Sequence, residues 1–536
     1  MGTPMRLAAF CAMVCMLALP AGQPEVPFYP VALDYAADPR ATPAAIESDL
    51  GLVRESTFNS IRTTVRWADV EPAPGEYAFT ALKQVIETAR RAGLQVIVRI
   101  DHTPPSWMLK RYADAQRQTA AEKAAGALCF DHPGARADLW HFVQVAATRA
   151  RSFGIILTFE VGRPLPLGLC VCPYTKKRLD DSGSWHRDTP PSGIAASLNR
   201  DDLNELVRRT REAVIGAHVS NLVDVPTIVR ELNGGPPGQD DWLARWNLDR
   251  VGVTIDASIA SSARLGLALD DIGSAARGPQ VGGGQQADET WWLAIGASLA
   301  ERDRRFVTWA SIARGASGLV YEDPPDRSLV ATIARNPGLF ASVRPRRARV
   351  ALVLDPLSRA SAQLLATVHA ALTDAHIPIE ILHIDEIREE TIAGFRAVIF
   401  TSSRPVPGGA SAEAVKGLVA AGGAFIDATS PAMSTTRVIE GVRSAGVSPD
   451  VRVEGSTSVD VRVLESADVQ MIVALNHAEA SQRVTMTFPR ETQEAIWQNM
   501  ETGASVNFIA GASGPSYTYW FRPKDALVLM IRKDIR

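Results

Sequence analysis

From Val31 to Asp323, short β-branched runs alternate with segments whose apolar residues recur at three and four. That alternation predicts βα units built on a parallel sheet. The strands expected are Val31–Asp34, Ser60–Val65, Gln95–Ile100, Ile155–Val161, Pro226–Val229, Arg250–Ile255, Leu265–Leu269 and Gly318–Tyr321, with Ala81–Ala92, Ala135–Ser152 and Asp202–His218 among the helices between them. Eight strands in roughly 300 residues fit a (β/α)8 TIM barrel.

The cluster Arg344-Pro345-Arg346-Arg347 interrupts the series, and a second αβ pattern follows. Its strands are expected at Val350–Leu354, Ile379–Leu382, Ala397–Phe400 and Ala424–Ile426, which predicts a small doubly wound unit. Beyond Gly446 the helical period stops. Runs such as VDVRVLE, VQMIVALN, RVTMTFP and ALVLMIR alternate apolar and polar positions between turn signals, the pattern of a β-sandwich. The organisation expected is a barrel over 27–345, an αβ domain over 346–446 and a C-terminal β-sandwich over 447–536.

The first 22 residues stand apart. Arg6 precedes an apolar run from Leu7 to Leu19 and then small residues, the layout of a cleaved signal peptide rather than of a membrane span. No later apolar stretch is long enough to cross a bilayer, so a secreted or periplasmic chain with no membrane association after cleavage is expected. Fifty-six basic against fifty-nine acidic residues leave a formal charge of -3, which provides no field for a polyanion. Nucleic acid is excluded as an expected partner. There is no P-loop, no dinucleotide glycine fingerprint and no His-x-x-x-His helix, so no organic cofactor is specified.

Chemistry in such a barrel belongs at the C-terminal ends of the strands. Those ends carry Asp34, Asp69 with Glu71, Asp101, Glu160, Glu231, Asp256, Asp270 with Asp271, and Glu322 with Asp323. Trp67, Trp107, Phe159 and Tyr321 accompany them. Carboxylates beside flat apolar faces suit a sugar, whose hydroxyls need acceptors and whose C–H faces stack on rings. The blander reading of any one acid is a cap on the following helix.

The segment NSIRTTVRWADVEPAPGEYAFTAL, with Arg62, Trp67, Glu71, Pro72, Gly75, Tyr77 and Phe79, resembles the second-strand signature of glycoside hydrolase family 42, the β-galactosidases. AGLQVIVRIDHTPPSWMLKRY, with Pro104, Pro105 and Trp107, looks like that family's third strand and its Pro-Pro-x-Trp turn. The resemblance implies a flavodoxin-like domain of the kind that mediates trimers after the barrel, then a small β domain, and hence a homotrimer. It also implies carbohydrate as the ligand, with Arg62, Trp67, Asp101, Trp107 and Tyr321 as substrate-binding candidates. Many family members bind a structural zinc through four cysteines. Cys129, Cys170 and Cys172 match three of them and Thr175 stands in place of the fourth. Three thiolates with His132 or a water would complete a tetrahedral zinc site. A disulfide from Cys129 to Cys170 or Cys172, or free thiols, are the alternatives.

Retaining enzymes of this family need two carboxylates about 5 to 5.5 Å apart. The family's Asn-Glu acid/base pair at the fourth strand is replaced here by Arg163-Pro164, and proline cannot transfer a proton. Glu160 is the carboxylate left on that strand, and Asp270 or Asp271 falls where the seventh-strand nucleophile is expected. Catalytic candidates are therefore Asp270, Asp271, Glu160 and Glu322. Two readings follow: a secreted β-galactosidase-like hydrolase of β-linked sugars with a rebuilt carboxylate pair, or a degenerate barrel that binds carbohydrate or serves assembly without hydrolysis. A third is an unrelated reaction on the same barrel.

Overall fold

The computed structural model describes residues 28–36, 41–118, 123–162, 170–182, 191–223, 227–232, 248–260, 264–277, 291–356, 358–492 and 496–532. The expected signal segment and Arg163-Pro164 lie outside them. Eight parallel strands close a barrel: β1 (Val31–Asp34), β2 (Ser60–Arg66), β3 (Gln95–Asp101), β4 (Thr158–Val161), β5 (Val219–Val223), β6 (Arg250–Ile255), β7 (Trp291–Ile295) and β8 (Ala316–Tyr321). Each pairs with the next, and β8 returns to β1.

Side chains alternate along a strand, so one row per strand faces the lumen. In register, Arg62 lies beside Ile97, Arg99 beside Glu160, and Trp292 beside both Gly252 and Gly318. Ala32, Ile97, Trp292, Ala294 and Val320 form a separate buried cluster that fills the lower lumen. Gly318 makes room for the indole, because a Cβ there would meet Pro30 at 2.9 Å and the Trp292 ring at 3.1 Å. Continuing the same rows upward, Asp34, Arg62, Arg99, Glu160 and Glu322 reach the C-terminal mouth.

Two strands differ from the sequence expectation. The fifth is Val219–Val223, with 227–232 helical behind it. The seventh is Trp291–Ile295, whereas Leu265–Arg277 is a helix. Every residue from Leu265 to Ala275 in that helix is buried, because it is wedged between the barrel and the αβ unit. Burial on all sides erases the polar stripe that would mark a surface helix, and a short uniformly apolar run then reads equally well as a strand.

The next strands, β9 (Val350–Leu354), β10 (Glu380–His383), β11 (Ala397–Phe400) and β12 (Ala424–Asp427), form a parallel sheet in the order β10-β9-β11-β12. Last come β13 (Arg452–Glu454), β14 (Val459–Glu465), β15 (Val469–Asn476), β16 (Gln482–Thr487), β17 (Trp497–Asn499), β18 (Ser505–Val506), β19 (Ser516–Phe521) and β20 (Ala526–Arg532). They make two sheets, one of them β13-β16-β19, around a core that includes Val459, Ile472, Met486, Trp497 and Leu529. Arg344–Pro345, which ends the barrel pattern in the sequence, pairs with Glu465 and Leu464 and so joins the larger sheet. No helix among the described residues is long and apolar enough to cross a membrane.

Candidate functional site

At the mouth of the barrel a single guanidinium gathers three carboxylates from strands distant in sequence. Arg62 on β2 is 1% exposed. Its Nε donates to Asp34 Oδ1 at 2.9 Å, one terminal nitrogen lies 3.4 Å from Glu322 Oε1, and the other lies 3.8 Å from Glu160 Oε2. Glu160 is buried between two cations, since Arg99 Nε approaches its second oxygen at 3.4 Å. Glu322 follows β8 and also accepts from the Ala297 N–H at 3.3 Å, which ties it to the turn after β7. The three carboxylates hold the Arg62 guanidinium in its charged form against the cost of burial. Asp34 and Glu322 keep about 30% of their side-chain surface open to the mouth, whereas Glu160 is nearly closed off.

The remaining rim candidates separate by direction. Asp101 ends β3 about one-third exposed, accepts from the Thr103 N–H and hydroxyl, and lies 3.9 Å from Arg66. Trp107 sits beside it on a short helix, half-buried, its indole N–H donating to the Glu71 carbonyl at 3.0 Å and Arg111 lying over its ring. Trp67 does not face the lumen. Its indole donates to Glu71 Oε2 at 2.5 Å and stacks on Phe142 of the helix layer with ring centroids 4.8 Å apart. Tyr321 likewise turns outward, sharing a hydrogen bond with Thr308 at 2.8 Å and packing edge-on to Phe58. Both are fully buried, so the expectation that they contact a sugar is corrected: strand alternation points Tyr321 away, and Trp67 opens the short Trp67–Val70 helix that carries its ring into the helix layer. Asp256 is a helix cap, accepting from the Ser258 N–H and hydroxyl.

Asp270 and Asp271 are also corrected. They lie on the Leu265–Arg277 helix, outside the barrel wall, and cannot serve as the seventh-strand nucleophile. Asp270 accepts from Arg314, Arg462 and His369, each at 3.0 Å, and the two guanidiniums with the His369 hydrogen bond hold its carboxyl well below the usual range despite full burial. The true seventh strand ends in Gly296-Ala297-Ser298, which carries no carboxylate.

Cys129, Cys170 and Cys172 come together with their Sγ atoms all within 4.8 Å of one another, buried and unpaired. Thr175 Oγ1 stands 3.3 Å from Cys129 Sγ and 3.5 Å from Cys172 Sγ, and its hydroxyl donates to Asp131. Asp131 in turn pairs with Arg136 and Arg178 through its other oxygen. Three thiols this close, with a small oxygen group completing the cluster, fit a zinc-sized ion and its preference for sulfur. Burial and a hydrogen bond from Cys129 oppose each other at Cys170, and the hydrogen bond dominates, lowering that thiol to about 5; Cys129 is pushed up as the donor. His132 is not part of the cluster. It caps the Pro133–Phe153 helix by accepting from the Ala135 N–H at 3.2 Å, which corrects the expectation of a histidine ligand.

Sequence reading missed Arg99, which flanks Glu160, and the Asp131, Arg136 and Arg178 set beneath the cysteines. The first was visible as a charged residue at a lumen-facing position of the apolar strand QVIVRID. The second had no signal, since Arg178 and Arg136 come from different helices.

Residues 34–163 match the Glyco_hydro_42 family model, described as beta-galactosidase. No curated protein matches the chain in sequence. Among solved structures, the β-galactosidase from Bacillus circulans sp. alkalophilus superposes with a TM-score of 0.71 at 13% identity, covering 95% of this chain and 99% of that one. The cold-adapted β-galactosidase from Rahnella sp. R3 gives 0.66 at 14% identity over 95% and 99%. An α-L-fucosidase isoenzyme 2 from Paenibacillus thiaminolyticus gives 0.64 at 12% identity over 95% and 100%. Residues 34–163 thus match the glycoside hydrolase family 42 model, and the fold of nearly the whole chain is similar to that of β-galactosidases of known structure.

Proposed function

We propose that the chain is a glycoside hydrolase of β-linked sugars, β-galactosidase-like in class, that works with a carboxylate pair drawn from Glu160 and Glu322. The observation that carries this reading is the convergence of Asp34, Glu160 and Glu322 on Arg62 at the open end of the lumen. Glu322, partly exposed and supported by the Ala297 N–H, is the group placed to meet a sugar. Glu160, fixed beneath it between Arg62 and Arg99, is the second member of the pair and faces the oxocarbenium-like transition state. Asp101 and Trp107 serve as hydroxyl acceptor and stacking face at the rim. The cysteine cluster holds a structural zinc that braces the loop beside the mouth, and takes no part in the reaction. The apolar run Leu7–Leu19 supports export, and the resemblance of the αβ unit supports a trimer.

Hydrolysis of a panel of chromogenic β-glycosides, galactosides first, tests the assignment. Glu322→Gln and Glu160→Gln are each expected to lower kcat/KM by about 10²–10⁴-fold. Wild-type turnover in both variants would overturn it.

A second reading, sugar binding without hydrolysis, is favoured by the loss of a carboxylate from both positions the family uses: Arg163-Pro164 at the fourth strand and Gly296-Ala297 at the seventh. Thermal stabilisation by a sugar with no turnover across the panel would select it.

A further inference from the structure

Asp270, displaced from the barrel mouth, belongs to a closed ring of alternating charge. Arg314 donates to Asp270 Oδ1 at 3.0 Å and to Asp460 Oδ2 at 2.7 Å, while Arg462 donates to Asp270 Oδ2 at 3.0 Å and to Asp460 at 3.1 Å. All four are buried. Asp270 and Arg314 come from the helix layer of the barrel, and Asp460 and Arg462 from β14 of the sandwich. His369, on the Arg359–Asp374 helix of the αβ unit, adds a fifth contact through Asp270. Beside the ring, His477 follows the end of β15, its ring half-buried and its Nε2 closed to solvent. Its ring meets Phe306 of the Glu301–Ile312 helix edge-on at 5.1 Å, and its Nε2 has no hydrogen-bond partner.

We propose that this ring and His477 form an acid-sensitive clasp, which holds the C-terminal sandwich against the Glu301–Ile312 helix at neutral pH and releases it when His477 takes up a proton. With His477 neutral, two arginines and two aspartates cancel. A proton on His477 adds a cation that faces Arg314 from the barrel, Arg462 on β14 and Lys524 before β20, with Asp460 as the carboxylate turned toward it. Lys524 is itself partnered by Glu479 and lies over the Phe306 ring, and His376 of the αβ unit faces Asp460 from the other side. The same helix is held to the sandwich by Arg305, paired with Glu501 and Asp525, and by Trp309, which donates to Glu501 at 2.7 Å. Hydration of the added charge requires water to enter, and the junction between the two bodies is where water enters without breaking either core.

Burial, with the three cations, pushes the His477 imidazole down to about 4. A solvated histidine titrates near 6.5, so between those values the opened junction binds a proton that the closed one refuses. One proton makes the open-to-closed ratio rise by up to about tenfold per pH unit.

Amide protection of the full chain, corrected for intrinsic exchange and followed from pH 7 to 4.5, tests this. Protection of β14 and of the Glu301–Ile312 helix is expected to fall about tenfold per pH unit below 6.5 while β2 and β3 hold theirs. His477→Gln, which cannot titrate, is expected to reduce that slope to under about twofold. If the Gln variant does not fold, His477→Phe packs against Phe306 and is read the same way, and small-angle scattering of the parent should show a larger radius at pH 4.5 than at pH 7. Equal loss of protection in β2, β3 and β14, no pH dependence, or the parental slope in the folded variant would overturn the clasp.

Discussion

Arg62 holds Glu322 across the closing seam of the barrel: 260 positions separate them in sequence, and 3.4 Å separates the guanidinium from the carboxylate. The contact spans the seam where the last strand closes on the first two. It therefore reports closure of the barrel as well as the chemistry of its mouth.

Removing this guanidinium leaves three carboxylates facing one another, one of them buried. Arg62→Met is expected to destabilise the fold by about 3–5 kcal/mol in chemical denaturation, because the buried Glu160 keeps only Arg99 as a partner and Asp34 and Glu322 lose theirs. Adding Glu160→Gln should recover a measurable part of the loss. A single variant within about 1 kcal/mol of the parent would show that the cluster is solvated rather than fixed.

Asp270→Asn breaks the ring without touching the lumen. A loss of about 3–5 kcal/mol is expected, with sugar binding in the surviving folded fraction unchanged. A selective loss of sugar affinity would return Asp270 to the site from which the structure removes it.

Elemental analysis of the purified chain addresses the cysteine cluster. About one zinc per chain is expected, lost in Cys170→Ser. Thr175→Cys, placed where the oxygen already lies within 3.5 Å of two sulfurs, should slow zinc release to a chelator. A metal-free parent with three titratable thiols would leave the cluster as free cysteines.

His102 gives a pH dependence of its own. Burial pushes its imidazole down to about 4, and its Nε2 has no hydrogen-bond partner among the described residues. The folded value lies below the solvated one, so the stability it contributes is complete above about pH 6.5 and is lost as the pH falls toward 4, by roughly 3 kcal/mol. Urea denaturation of His102→Asn from pH 7 to 4 should show a correspondingly smaller acid loss. Parallel curves would refute the assignment.

The sequence exposed the barrel where strand and helix periods are clean, and Asp101 and Glu160 lie at or next to the C-terminal ends of strands in the structure. It misled at the seventh strand because WWLAI and LGLALDDIGS are both short apolar runs, and only the packing of the second against β10 makes it a helix. Asp270 and Asp271 were carried into the site by that exchange. Tyr321 ends a genuine rim strand, yet one step of the two-residue alternation sends it into the helix layer, and Trp67 begins the short helix that follows β2. The Arg62 cluster was unreadable for a different reason, since nothing local links residues 34, 62, 160 and 322.

The Leu265–Arg277 helix also decides how this protein can be dissected. Its buried face includes Ser274, whose hydroxyl accepts the Ile381 N–H of β10 at 3.0 Å, and Asp270, whose partners come from all three bodies. A fragment ending near Pro345 would expose the largely apolar face of this helix to water and strip Asp270 of its Arg462 and His369 partners. The barrel is therefore not a transplantable module: any fusion, truncation or library built on it has to carry the later segments as part of its own interior.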